Sequence, residues 1–361
     1  MLFFNISAFY YFYFSATAVY VIFMPKVLLD VGYSASEIGI LYALAPLMRF
    51  LTPFLFLKLI KLDAKVFKIA LASSIIATSS FYFTIDNFYA FMFANALLGV
   101  SLSLILPYIE IIALKDLGKE RYGKSRLFGS IGFMVIALVL AKFLSSPFIA
   151  LHFFLFANII TVIFSIILLK HDVSHDDAAS KKPFSFFKYW PFWLSLFFMQ
   201  MSFGSFYNFF TIYETEHGVS LETVSYLWSF GILCEIVMLY FQGPLLKRNL
   251  KNILLFCLSL TVLRWMILFL FPESLFLTYV TQGMHAFSFG LYHSSVIIFL
   301  YTLYDNKKLA QQFMYGVAYG LGGFMGALLA GYLYGEYLFL SSAFFAACSL
   351  FFMLKVNKQV S

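Results

Sequence analysis

Residues 168–183 read LLKHDVSHDDAASKKP, the longest polar connection in a chain that is otherwise almost continuously apolar. Charges of both signs mix with small residues and no apolar residue recurs at a regular spacing, which is the pattern of a solvated linker. Outward from it, both flanks break into apolar runs of bilayer length, since a hydrocarbon core about 30 Å thick takes roughly 20 residues of helix. The runs fall near 3–28, 36–58, 66–85, 88–114, 126–145 and 147–169 before the linker, and 189–214, 222–246, 252–271, 275–303, 309–333 and 338–355 after it. The first run has no Lys or Arg before it and exceeds the apolar core of a signal peptide, so it is read as an uncleaved helix. The expected fold is an all-α membrane protein of twelve transmembrane helices. They form two six-helix bundles, 1–170 and 189–361, with a cytoplasmic linker at 171–188.

Composition agrees with that reading. The chain is 62% apolar and only 11% charged, with a mean hydropathy of +0.89, where a soluble domain carries about 25% charged residues. A soluble enzyme, a disordered chain and a secreted disulfide scaffold are excluded. Cys234, Cys257 and Cys348 lie singly in apolar runs, so neither a disulfide framework nor a metal site is indicated. Sorting the 24 Lys and Arg by connection leaves only Lys26 and Lys142 on one side and Arg49 and Arg264 inside spans. All the others lie on the opposite side, which the positive-inside rule makes cytoplasmic, together with both termini. The net charge of +7 is thus a topology signal, and no nucleic-acid partner is expected.

The two halves repeat. An offset of 186 residues lays DVGYSASEIG at 30–39 on EHGVSLETVS at 216–225, pairing Gly32 with Gly218, Ser34 with Ser220, Lys65 with Lys251 and Arg49 with Glu235. Two six-span halves in parallel repeat are the plan of major facilitator transporters. Pro46, Pro53 and Pro107 lie inside spans and are expected to kink them, while Gly316, Gly320, Gly322, Gly323 and Gly326 suit close helix approach in the eleventh.

Charge at membrane depth is costly and marks function. Arg49, Glu235, Arg264 and His285 each fall roughly 15 to 20 Å into their spans, near the midplane. Two guanidiniums facing one carboxylate leave a positive charge that an anionic substrate would balance. Arg49 and Arg264 are the candidate anchors, because the guanidinium stays charged and its fork matches a carboxylate. Proton coupling needs a group that changes charge, and Glu235, His285 and His293 qualify. The same residues also suit a structural Arg264–Glu235 pair that locks helices together. Straight-helix phase puts Trp228, Gly231 and Glu235 on one face, and His285, Phe289 and Tyr292 on another, making Trp228 and Tyr292 further substrate contacts. It displaces His293 by about 80° from His285. Glu110 and Arg126 flank the connection between spans four and five and read as a gating pair.

The strings YGKSRLFGSIGF at 122–133, YLWSFGILCEI at 226–236, LRWMI at 263–267 and QGMHAFSFGLYH at 282–293 resemble the bacterial 3-phenylpropionic acid transporter group of the major facilitator superfamily, related to the lactose and nucleoside proton symporters. The resemblance runs over essentially the whole chain. It implies that Glu235 and Arg264 match the carboxylate and arginine that lactose permease relatives use in substrate binding and proton translocation. His285 and His293 take the place of that family's ionisable group in span ten. The loop at 57–68, LKLIKLDAKVFK, departs from the superfamily form G-x-x-x-D-R-x-G-R-R.

The expected activity is secondary transport by alternating access, moving a small organic solute with protons across a bacterial inner membrane. An aromatic or aliphatic carboxylate is the first substrate class; a sugar or nucleoside symporter and a proton-driven exporter are the alternatives. No H-E-x-x-H, G-x-S-x-G or metal-binding carboxylate cluster occurs, so neither an intramembrane enzyme nor a cofactor is expected. The expected partners are the substrate, protons and lipid, and the expected unit is a monomer.

Overall fold

The computed structural model describes residues 1–58, 63–171 and 185–356. Most of the expected linker and part of the 57–68 loop lie outside the described residues. All regular structure among the described residues is helical. Helix α1 spans Leu2–Val31 with a π-helical turn at Val19–Phe23, followed by α2 (Ala35–Lys58), α3 (Ala64–Thr84), α4 (Phe88–Gly118), α5 (Arg121–Phe143) and α6 (Pro147–His171). After the linker come α7 (Trp190–Ser202), α8 (Gly204–Glu216), α9 (Leu221–Phe241), α10 (Leu250–Leu270), α11 (Leu275–Leu303), α12 (Leu309–Tyr332) and α13 (Leu338–Leu354). Among the described residues nine helices, α1, α3–α6 and α9–α12, are long and apolar enough to cross a membrane. Of the other three expected spans, the second is the 24-residue helix α2, the seventh is broken at Phe203 into α7 and α8 of 13 residues each, and the twelfth, α13, has 17 residues.

The chain divides into two compact units, Met1–Asp176 and Asp177–Ser361. In the first, α1 packs on the α4–α5 pair and on α6, and α3 packs on α4. Its core holds Phe9, Tyr10, Phe67, Tyr108 and Ile109, with the Phe67 and Tyr108 rings stacked at 3.9 Å. Buried amides tie its helices where lipid offers no hydrogen bonds: Asn158 donates to Thr78 (3.1 Å), and Asn95 donates to the Leu41 carbonyl while accepting from Tyr20. In the second unit α7 packs on α12 and α13, α8 on α12, α9 on α11, and α10 on α11 and α13. Large apolar side chains such as Ile76, Phe83, Phe93, Phe276 and Phe344 stand exposed on the outer faces. In water that surface would drive aggregation, whereas against acyl chains it is neutral.

Helix ends repeat at the 186-residue offset found in the sequence. Gly32 and Gly218 both turn the chain at positive φ (114° and 83°), the left-handed region that an L side chain adopts only with strain. Ser34 then exchanges hydrogen bonds with Glu37 in a capping box, and Ser220 caps Thr223 N–H. At the next helix of each half, Asp63 caps Val66 N–H and its counterpart Asn249 caps Asn252 N–H. Each cap contributes about 1 kcal/mol and sets where a span begins.

At the α7–α8 break the backbone packs directly against α12. A Cβ on Gly204 would lie 2.2 Å from the Gly326 carbonyl oxygen of α12. We expect Gly204→Ala to lower the apparent melting temperature of the purified protein, with a cost of about 1–3 kcal/mol for overpacking. Melting at the wild-type temperature would show that the two backbones separate freely.

Candidate functional site

The buried polar centre of the second unit is assembled by α8, α9, α10 and α11 around Arg264. Its guanidinium is fully buried on α10. Nη1 lies 3.0 Å from His285 Nδ1 and donates to Ser288 Oγ at 3.0 Å, both on α11. The cation sits 4.4 Å from the ring centres of Phe206 and Trp265, with Phe203 at 5.7 Å. Nε and Nη2, the side edge of the guanidinium, are buried without a hydrogen-bond partner among the described residues. That edge presents two parallel N–H groups, the geometry that takes a carboxylate bidentately. Aromatic faces offset about 0.5–2 kcal/mol each of the cost of burying the cation. Two unmade hydrogen bonds to a charged group forgo about 1.5–3 kcal/mol each, so the aromatic cage does not replace them.

His285 connects Arg264 to Glu235. A guanidinium N–H can only donate, so Nδ1 of His285 must present a lone pair and the proton of this neutral imidazole belongs on Nε2. Nε2 lies 3.6 Å from Glu235 Oε2, whose side chain is 19% exposed. Arg264 and Glu235 are therefore not directly paired: a histidine stands between them. Protonating Nδ1 would break its contact with Arg264, so proton occupancy at His285 and the placement of the guanidinium are linked.

The phase of α11 corrects a sequence expectation. A π-helical segment at Ala286–Leu291 under-winds the helix, and His293 is drawn back over His285 instead of being displaced from it. The rings of His285 and Phe289 stack at 5.3 Å, and those of Phe289 and His293 at 6.0 Å. His293 Nδ1 meets the hydroxyl of Tyr319, which lies within a second π-helical segment, Tyr315–Gly322 of α12, at 2.6 Å. Tyr292 leaves the His285 stripe and lines a small cavity with His293, Tyr319, Gln200 and Val296. Trp228 on α9 donates from Nε1 to Thr211 of α8 (3.2 Å) and packs on Phe206 at 4.5 Å, so it walls the Arg264 cage.

Three expected site residues lie in the first unit. Arg49 is exposed on α2 and, among the described residues, forms no hydrogen bond or ion pair; its charge bears on Tyr13 of α1. Glu110 Oε1 lies 3.4 Å from Arg126 Nε and accepts from the Tyr122 hydroxyl at 3.3 Å. Arg126 also covers the rings of Tyr10 and Phe14, tying α1 to α4 and α5. Sequence reasoning missed Ser288, Phe203, Phe206, Trp265 and Tyr319. Only Ser288 had a signal, lying three residues from His285 on a helix; the aromatics are indistinguishable from lipid-facing ones until packing is known. Among the described residues no cluster of three His, Cys, Asp or Glu side chains is placed to hold a metal.

A family model, described as the MFS_1 like family, matches residues 3–346. The chain belongs to the MFS_1 like family. Within and around it, a relative from Escherichia coli (strain K12) described as a probable 3-phenylpropionic acid transporter is 22% identical, the match covering 96% of each chain. An uncharacterized transporter, YwbF of Bacillus subtilis (strain 168), is 23% identical over 83% of this chain and 78% of its own. Among solved structures, a point variant of the nucleoside transporter NupG superposes with a TM-score of 0.83 at 16% identity, covering 99% of this chain and 100% of that one. The POT family transporter PepTSo superposes at 0.75 with 9% identity, covering 98% and 96%. This MFS_1 like protein is a multi-pass membrane transporter of small solutes and not an enzyme.

Proposed function

We propose that the protein carries a small organic carboxylate together with a proton by alternating access, with Arg264 as the anion anchor and Glu235 as the proton carrier. The observation that carries this reading is the Nε/Nη2 edge of a fully buried Arg264, which has no hydrogen-bond partner among the described residues. Within the centre, ionised Glu235 and Arg264 cancel and His285 is neutral. A proton on Glu235 leaves the Arg264 charge unbalanced, and a carboxylate then restores neutrality at low dielectric, where an unpaired charge is most costly. Loss of the proton reverses the balance and favours release. Substrate and proton therefore bind together, which is symport. The aromatic cage of Phe203, Phe206 and Trp265 supports an aromatic acid, as does the 22% identical relative described as a probable 3-phenylpropionic acid transporter.

In this reading twelve spans form the six-plus-six plan, the Lys/Arg distribution keeps both termini cytoplasmic in a bacterial inner membrane, and a single chain is the working unit. Arg49, in register with Glu235 in the repeat, serves as a second anion contact, His293 as a proton-coupling group, and Glu110 with Arg126 as a gate. The test is uptake of labelled 3-phenylpropionate and of a labelled sugar by purified protein in liposomes, with and without an inward pH gradient. We expect gradient-dependent accumulation of the acid alone. Sugar accumulation without the acid would replace this reading by that of a sugar symporter.

A further inference from the structure

Glu214 lies two residues from the end of α8, where the sequence shows nothing but the close of an apolar run before a turn. Its side chain is 1% exposed, and among the described residues both carboxyl oxygens are buried without a hydrogen-bond donor or a paired cation. Placing an ionised carboxylate in that environment costs more than protonating an ordinary carboxyl at neutral pH. The neutral acid is the form that fits.

The surroundings supply a reason for the proton to come and go. Tyr213, Glu216 and His217, on either side of Glu214, line a cavity of about 310 Å³ that Tyr334 and Glu336 complete, so water comes within one residue of the buried carboxyl. Phe210 and Thr211, one turn before Glu214 on α8, both contact Trp228, which packs on Phe206, and Phe206 lies under the Arg264 guanidinium. A change in how this end of α8 packs thus reaches the Arg264 cage through touching rings. Few other titratable groups face this end. On α8 itself there are Tyr207 and Tyr213, with Glu216 and His217 at the cavity. On α9 Tyr226 and Glu222 are hydrogen-bonded to each other at the exposed end, with Cys234 and Glu235 farther in. The outer half of α12 offers Tyr332, α13 Cys348 and α7 none, while two turns inward, at Phe206, α10 brings Arg264 and α11 His285, whose ring lies 5.6 Å from that of Phe206.

We infer that Glu214 is a second proton-binding site: its carboxyl is neutral in the packed arrangement and releases its proton when the end of α8 opens to the adjoining cavity. No bond changes other than O–H, and water in the cavity accepts the proton. The site itself does not depend on what is transported, while its part in coupling rests on the proton-coupled reading above.

The test uses the full chain in lipid nanodiscs. At neutral pH the infrared spectrum is expected to contain a protonated-carboxyl carbonyl band that Glu214→Gln lacks. Because glutamine is the neutral isostere, the variant is expected to melt at or above the wild-type temperature. The folded wild type holds a proton that the unfolded chain releases, so its melting temperature is expected to fall as pH rises above the ordinary carboxylate range, and that slope is expected to flatten in Glu214→Gln. An unchanged carbonyl band, or a variant that melts far below wild type or fails to fold, would overturn the assignment, since either means that the native carboxyl is ionised and held. Loss of the band in a protein that shows no gradient-driven uptake would leave the proton site standing and remove the coupling reading.

Discussion

Arg264→Lys is expected to abolish measurable binding of a carboxylate substrate while leaving the protein folded. Lysine keeps the charge but presents a single ammonium, which cannot hold His285 and Ser288 with one arm and offer two parallel N–H groups on its other edge. The loss is two charge-assisted hydrogen bonds, about 3 kcal/mol or more, or roughly a hundredfold or more in Kd. Equilibrium binding of labelled 3-phenylpropionate to detergent-purified protein, with a monodisperse elution profile as the folding control, measures it. Arg264→Ala is expected to lose binding as well and to lose stability besides, because it empties a cage built by Phe203, Phe206 and Trp265. Affinity within a few-fold of wild type in either variant would move the anchor to Arg49.

Glu235→Gln is expected to separate binding from energy coupling. Glutamine mimics the protonated carboxyl, so the centre keeps the unbalanced Arg264 charge that favours an anion and no longer has a proton to lose. Accumulation driven by an inward pH gradient is expected to fall to the level of protein-free liposomes, whereas exchange of labelled for unlabelled substrate across the membrane continues. The two assays on one preparation decide the matter. A wild-type response to the gradient in this variant would reject Glu235 as the proton carrier and direct attention to His293.

Much of the architecture was legible because it depends on quantities that run along one dimension. Apolar run length and the recurrence of Gly32 and Ser34 at Gly218 and Ser220 need no knowledge of packing. That Arg264 and His285 would sit inside the helix packing was legible for the same reason, since a rise per residue converts position in a run into a place along the span; the same count also picked out Arg49, which is exposed. Phase was not. Counting 100° per residue separates His293 from His285, and nothing in QGMHAFSFGLYH announces that α11 becomes π-helical between them. The seventh run was read as one helix because its hydropathy is continuous. Its break at Phe203 adjoins Gly204, which packs on Gly326 more than a hundred residues away, a contact that hydropathy does not register.

The sequence by itself determined that this chain lives in a membrane as helices, that its halves repeat, and which ionisable groups lie within its apolar runs. Tertiary structure alone decided that His285 stands between Arg264 and Glu235, that an aromatic cage covers the guanidinium while its side edge has no partner among the described residues, and that Glu214 is buried with no donor among them. The reason is physical. Burial in lipid is a sum over neighbouring residues of one segment, but a hydrogen bond requires two atoms about 3 Å apart, and here those atoms belong to helices that only folding brings together.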